Sequence, residues 1–229
     1  MHSKETVVIS VGGSLIAPPQ GLDVAFLKKF KVLLEKGIKS GFKFVIITGG
    51  GATARNYQTA ARKIGELNSE DLDWLGIHST RLNGHLLRSL FRKDAYPALV
   101  KNPKAKVRTD KPIIIAAGSK PGWSTDYVAV AIAKNMGAKK IINLSNINYV
   151  YTKDPNKFKD AEIIKEISWT EFRKLIPKKW DPGTHSPFDP VAAKLADESK
   201  MEAVIINGKN LSELQKYLEE KKFRGTRIT

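Results

Sequence analysis

Five short apolar runs constrain the fold more than any other feature of the chain: TVVISV (6–11), KFVIIT (43–48), PIIIAA (112–117), KIINLS (140–145) and EAVIIN (202–207). Each is rich in Ile and Val and apolar almost without interruption, the pattern of strands covered on both faces and hence of a parallel sheet. Between them lie amphipathic stretches with helical spacing: VAFLKKFKVLLEKGIKS, TARNYQTAARKIGE, SEDLDWLGIHSTRLNGHLLRSLFRK, STDYVAVAIAKNMG, PVAAKLADES and LSELQKYLEEK. This alternation predicts an α/β protein, a three-layer αβα sandwich around a mainly parallel central sheet with right-handed crossovers. No linker or internal repeat divides the chain, so residues 1–229 read as one domain. The segment NINYVYTKDPNKFKDAEIIKEISW breaks the pattern with turn residues and short β-branched or aromatic alternations, and predicts a hairpin or an excursion near the C-terminal edge of the main sheet.

A parallel sheet places its ligands beyond the carboxyl ends of the strands, where loops enter helices. Four glycine-bearing junctions fall there: Gly12-Gly13-Ser14, Gly49-Gly50-Gly51, GSKPGWSTD (Gly118 to Asp126) and PGTHSPFDP (Pro182 to Pro190). Bare backbone at a helix start supplies free N–H groups and positive dipole, so four such loops on one rim point to more than one bound phosphate. The P-loop pattern GxxxxGK[ST] is absent. The dinucleotide pattern GxGxxG/A is formally met by Gly49, Gly51 and Ala54, with Glu70, Asp71 and Asp73 about twenty residues on. A dinucleotide-dependent oxidoreductase is therefore a competitor, although it leaves the other three loops unexplained and its acidic cluster opens a helix instead of ending a strand.

Composition narrows the classes. The chain has no cysteine, which removes disulfide scaffolds and thiol chemistry and fits a reducing cytoplasm. Its start, MHSKETVVISVGG, reads as strand-like without a signal peptide, and no run reaches the length of a membrane span. The net charge of +16 raises nucleic acid as a partner, but the basic residues are scattered and accompany no recognised binding motif, so nucleic acid is not expected. His2, His78, His85 and His185 lie far apart, so no protein metal site is expected.

The blocks VGGSL, IITGGGATAR, DLDWLGIHSTRLN, GSKPGWSTDYVAVAIA, LSNINYVYTKDP and DPVAAKLA resemble, in order and spacing, the amino-acid kinase superfamily, and within it the archaeal type of uridylate kinase. The resemblance implies transfer of the γ-phosphate of ATP to UMP, with Mg2+ accompanying ATP, in a cytoplasmic homohexamer of pyrimidine nucleotide biosynthesis. It implies an acceptor-phosphate side in the N-terminal part and an ATP side over roughly 140–229. Carried over by position, Gly13, Ser14, Gly51, Arg55, Ser145, Asn146, Tyr151 and Asp154 match ATP contacts. Gly50, Asp73 and the run Ser119, Lys120, Pro121, Gly122, Trp123, Ser124 and Thr125 match the UMP site, with Asp73 taking the ribose hydroxyls.

The expected catalytic set is Arg55, Asp189 and Lys120. Arg55 offers a planar fork to phosphate oxygens; Lys120 stands as a replacement cation, because Ser10 occupies a position where much of the superfamily keeps a lysine. Asn148 likewise replaces the aspartate expected to organise the centre. Each candidate also has a plain structural reading: Asp189-Pro190 as a helix start, Asp154-Pro155 as a turn, Thr125 and Asp126 as helix caps, Trp123 as packing. The alternatives to a UMP kinase are a non-catalytic nucleotide-binding or storage protein on the same fold, or a superfamily kinase with another small acceptor.

Overall fold

The computed structural model describes residues 5–177 and 186–229. Along the chain these form β1 (Thr6–Val11), α1 (Gly13–Ile16), α2 (Val24–Lys39), β2 (Lys43–Thr48), α3 (Gly51–Ile64), α4 (Ser69–Leu90), β3 (Ile113–Ala116), α5 (Thr125–Met136) and β4 (Lys140–Ser145). Then follow β5 (Val150–Tyr151), β6 (Ile163–Ile164), β7 (Glu166–Ile167), α6 (Trp169–Leu175), α7 (Pro190–Glu198), β8 (Glu202–Asn207), α8 (Leu211–Leu218) and β9 (Thr226–Ile228). Seven strands make one sheet in the order β3-β2-β1-β4-β8-β9-β7. All neighbours are parallel except β8 and β9. The five apolar runs are the five parallel strands at its heart.

Residues alternate between the two faces of a strand, so each run feeds two cores at once. Val8, Val45, Ile47, Ile114 and Ile141 pack under α5, α6 and α7 with Phe172 and Phe188. Val7, Ile9, Ile46, Ile115 and Ile142 pack under α2, α4 and α8 with Phe30, Leu34, Leu87 and Leu214. This two-sided burial is the predicted three-layer sandwich. The strand order reverses between β1 and β4, because the chain builds outward to β2 and β3 on one side and to β8 on the other. The crevice at that reversal, beyond the carboxyl ends of β1 and β4, is where such a sheet takes ligands.

The segment expected as a hairpin or an excursion forms a hairpin, β5 against β6, as a separate two-stranded sheet. The chain then continues into β7, which pairs with β9 at the sheet edge, and into α6; neither helix nor edge strands show in the hydrophobic pattern. Asn68 accepts from the Asp71 N–H at 2.8 Å and starts α4, so Glu70, Asp71 and Asp73 lie in a helix. The acidic group that the dinucleotide reading needs at a strand end is therefore on a helix instead.

Candidate active site

The first two glycine junctions meet backbone to backbone. A Cβ built on Gly13 would overlap the backbone nitrogens of Gly50 and Gly51, and one on Gly49 would overlap the Gly13 nitrogen. Gly51 has φ +66°, a conformation that strains other residues, and a Cβ there would meet the carbonyls of Gly13 and Ala17. Three bonds clamp the arrangement: Gly12 N–H to the Leu144 carbonyl (2.9 Å), Gly49 N–H to the Val11 carbonyl (2.9 Å) and Ala52 N–H to the Ala17 carbonyl (2.7 Å). From α4, Asn83 Nδ2 donates to the carbonyls of Gly49 (2.8 Å) and Gly50 (3.2 Å). Among the described residues, the N–H groups of Gly13, Ser14, Gly50 and Gly51 have no backbone partner. Two helix starts thus present unpaired donors at one place, the arrangement that phosphate oxygens satisfy.

Beside this cradle sits a pair of carboxylates. Ser10 Oγ donates to Asp126 Oδ1 (3.1 Å), as does Asn143 Nδ2 (3.4 Å), and the Asp189 N–H donates to Asp126 Oδ2 (3.3 Å). Burial pushes the Asp126 carboxyl from 3.8 up to about 6; the Asp189 charge adds to this, while the bonds from Ser10 and the Asp189 N–H pull back. Asp189 is 5% exposed and is also raised by burial, against its bonds with Ala192, Ser124 and Val191. Its Oδ1 accepts from the Ala192 N–H at 2.7 Å as the N-cap of α7, so the helix-start reading of Asp189 holds together with its place at the site. Asp126 is the residue that sequence reasoning passed over as a cap. The signal was available in Ser10 and Asn143, polar residues inside apolar strands that needed a buried partner.

The loop from Gly118 to Ser124 folds onto α4. Thr80 Oγ1 accepts from the Gly118 N–H (2.8 Å), Arg81 donates to the carbonyls of Gly118 (3.2 Å) and Ser119 (2.9 Å), and Asp73 Oδ2 accepts from the Gly122 N–H (2.7 Å). Asp73 is thus joined to the loop that carries the other acceptor-side candidates. Lys120 Nζ lies 4.4 Å from the centre of the Trp123 ring, which packs on Tyr127 at 4.7 Å. Pro121 lies in this loop, and Ser124 caps α5 by accepting from the Tyr127 N–H (3.0 Å), with Thr125 as its first helical residue.

On the other side of the crevice, Ser145 ends β4 and accepts from the Gly208 N–H through its carbonyl (2.8 Å), with Asn146 next to it. Tyr151 is in β5. Asp154 accepts from the backbone and side chain of Asn156 (2.9 and 3.2 Å), a local turn that its sequence also predicts. Asn148 is exposed and accepts from Asn207 Nδ2 (2.9 Å), whereas the carboxylate that Ser10 bonds is that of Asp126. Arg55 projects, exposed, from the first turns of α3 and forms no ion pair among the described residues. The first part of the fourth loop, with His185, lies outside the described residues.

Among the described residues, cavities also lie elsewhere. One of about 230 Å3 opens at the amino ends of β1, β4 and β8 beside Glu5, Lys140 and Glu202; another of about 360 Å3 separates α2 from α8. Neither is at the strand reversal or gathers unpaired backbone donors, so the cradle is the stronger candidate.

With that geometry, comparison with known proteins is decisive: the amino acid kinase family model matches residues 5–207. The chain belongs to the amino acid kinase family. It is similar to the uridylate kinase of Staphylothermus marinus, 36% identical over 206 residues covering 89% of this chain and 90% of that one. Against the uridylate kinase of Methanocorpusculum labreanum it is 35% identical over 224 residues, 96% and 94% of the two chains. The crystal structure of uridylate kinase from Archaeoglobus fulgidus aligns with a TM-score of 0.81 at 26% identity, covering 97% of this chain and 99% of that one. The UMP kinase structure from Bacillus anthracis, at TM-score 0.79 and 19% identity, covers 98% and 96% of the respective chains and shares the fold. The three-layer αβα sandwich inferred from the strand pattern, and the amino-acid kinase fold that the resemblance implied, are the fold of this chain.

Proposed function

We propose that the protein transfers the γ-phosphate of ATP to UMP, giving ADP and UDP. One observation carries the reading from this chain's own geometry: two glycine turns in backbone contact, with unpaired N–H groups, at the reversal point of the sheet. The uridylate kinases to which the chain is related over nearly its whole length supply the acceptor.

Phosphoryl transfer asks for in-line placement of two phosphates and for cancellation of charge on the moving group, with little covalent work by the protein. The turn Gly12-Gly13-Ser14 serves the ATP phosphates and the turn Gly49-Gly50-Gly51 the UMP phosphate. Their mutual contact fixes the separation of the two subsites, since neither turn can shift without the other. Arg55, on the first turns of α3, reaches both phosphates as a mobile fork. Asp126, oriented by Ser10 and Asn143, and Asp189 line the centre, while Asp73 takes the ribose hydroxyls and Trp123 covers the base. Ser145, Asn146, Tyr151 and Asp154 face the adenosine end.

Magnesium fits as an ion carried in by ATP. Such an ion keeps substrate phosphates and water as most of its ligands and needs only one or two protein oxygens, for which Asp126 and Asp189 are the carboxylates available. When bound it would supply neutralisation of the charge on the transferring phosphate. Lys120, stacked on Trp123, is a cation of the acceptor loop that the loop would have to carry to the phosphates.

The reading places the protein in the cytoplasm as a homo-oligomer, a hexamer by family resemblance. No helix among the described residues is long and apolar enough to cross a membrane. Tyr57, Ile64 and Leu82 on α3 and α4 are 62%, 88% and 63% exposed, apolar surface that a subunit contact would bury. The test is a panel of acceptors with ATP and magnesium. UDP formation from UMP well above product from CMP and AMP is expected; tight nucleotide binding without turnover of any acceptor overturns it.

A further inference from the structure

Helix α4 carries two sets of contacts that the reaction does not by itself require. Asn83 holds the carbonyls of the second glycine turn, and Thr80, Arg81 and Asp73 hold the loop from Gly118 to Ser124. Within the second set Arg81 is distinctive. Its Nε and Nη2 donate to two consecutive carbonyls, Gly118 and Ser119, at 3.2 and 2.9 Å. Its guanidinium also lies 5.7 Å from the centre of the Trp74 ring, about two helical turns back along α4.

A trans peptide points its N–H opposite to its C=O. Drawing the Gly118 and Ser119 carbonyls toward Arg81 therefore turns the Ser119 and Lys120 N–H groups away from it, and neither has a hydrogen-bond partner among the described residues. Two successive free amides facing one side form a concave donor site for oxygen atoms. We propose that Arg81 is a positioning residue for the acceptor: it fixes two peptide planes so that the Ser119 and Lys120 N–H groups meet oxygens of the nucleoside monophosphate. Only a planar fork does this, since a lysine ammonium offers a point charge with no fixed angle between its donors. The Thr80 hydroxyl anchors the same root of the loop, and the Asp73 to Gly122 bond anchors its tip.

This inference rests on the UMP reading, so the experiment has two independent readouts. The first is steady-state kinetics of Arg81→Ala and Arg81→Lys. A rise of about tenfold or more in KM for UMP is expected in both, with kcat within threefold and KM for ATP unchanged, a loss of one to two peptide hydrogen bonds at the acceptor. The second is hydrogen exchange of the 118–124 amides in the ligand-free protein, expected to speed up in both variants. Unchanged KM for UMP in variants of an active enzyme overturns the proposal, and so does a fall in kcat with KM intact. If the wild type does not phosphorylate UMP, the functional reading fails first; exchange in 118–124 that stays as slow in the variants then overturns the role of Arg81 as well. Arg81→Lys, which keeps the charge and the alkyl stem, serves if the alanine variant folds poorly.

Discussion

Replacing Asp126 with asparagine isolates the energetic burden of the acid pair. Burial and the facing Asp189 raise the Asp126 carboxyl from 3.8 to about 6. Between those values the folded protein keeps a proton that the unfolded chain has released, so unfolding sheds a proton and stability falls as pH rises. The contribution is complete below 3.8 and lost once pH passes about 6. A displacement of that size corresponds to ~3 kcal/mol, shared with Asp189 because the two carboxyls titrate as a pair. Asparagine is neutral throughout and escapes this loss, but it has one acceptor oxygen where the carboxylate serves Ser10, Asn143 and the Asp189 N–H with two. Its amide then faces a donor with a donor, at a cost of about 1–3 kcal/mol at any pH. Urea unfolding from pH 4.5 to 7.5, in EDTA and without nucleotide, is expected to find Asp126→Asn less stable than wild type at the acid end. The gap should close or reverse by at most about 2 kcal/mol over that range toward neutrality. A stability difference that stays constant with pH, or one that widens against the variant, refutes the argument that this carboxylate is held against its own ionisation.

Arg55→Ala is expected to lower turnover by about 100-fold or more, the scale for losing a preorganised transition-state donor, while the melting temperature stays within a degree or two because the side chain is exposed. Gly13→Ala forces a methyl into the backbone of the facing turn; it should cost about 1–3 kcal/mol in denaturant and abolish turnover even where the variant is folded. Asn148→Asp should change kcat less than threefold by initial-rate assay, because a carboxylate still accepts from Asn207 and Asn148 has no hydrogen bond to Asp126 or Asp189 among the described residues.

What the sequence discloses depends on whether a signal is local. The five buried strands were legible to within a residue because parallel strands feeding two cores must be apolar on both faces, and their Ile and Val runs say so without any partner. The amphipathic stretches located helices α2, α4, α5 and α7, although the pattern read from 69 ran three residues past the Leu90 end of α4; the start of α7 was read at Asp189, while Ser124 caps α5 in place of the expected Thr125 and Asp126. Strands β7 and β9 and helix α6 were not legible, being two, three and seven residues long, too short for a period to repeat. Edge pairing between Glu166–Ile167 and Arg227–Ile228 is decided by tertiary contact, which propensity does not record.

At the site the same division holds with sharper consequences. The glycine turns stand out alone, because bare backbone after a buried strand has few other uses, yet nothing local says that Gly13 and Gly51 touch across some forty residues of chain. Asp126 illustrates the limit best. An acidic residue in the first turn of a helix is favoured by the helix dipole wherever it occurs, so its presence at the start of α5 needs no further explanation. What requires explanation is that Ser10 and Asn143 interrupt two of the most apolar strands in the chain. Each is buried and each points a donor at the same oxygen, an expense that packing alone would have removed in favour of valine. Reading the interruptions of a hydrophobic pattern, and asking which distant group satisfies them, would have led from β1 and β4 to Asp126. Their removal tests that logic. Ser10→Val should spare the strand, raise the Asp126 carboxyl further by deleting a bond that lowers it, and shift the acid limb of the rate profile upward in pH. An unchanged profile would mean that the serine in β1 does not set the ionisation of the carboxylate it faces.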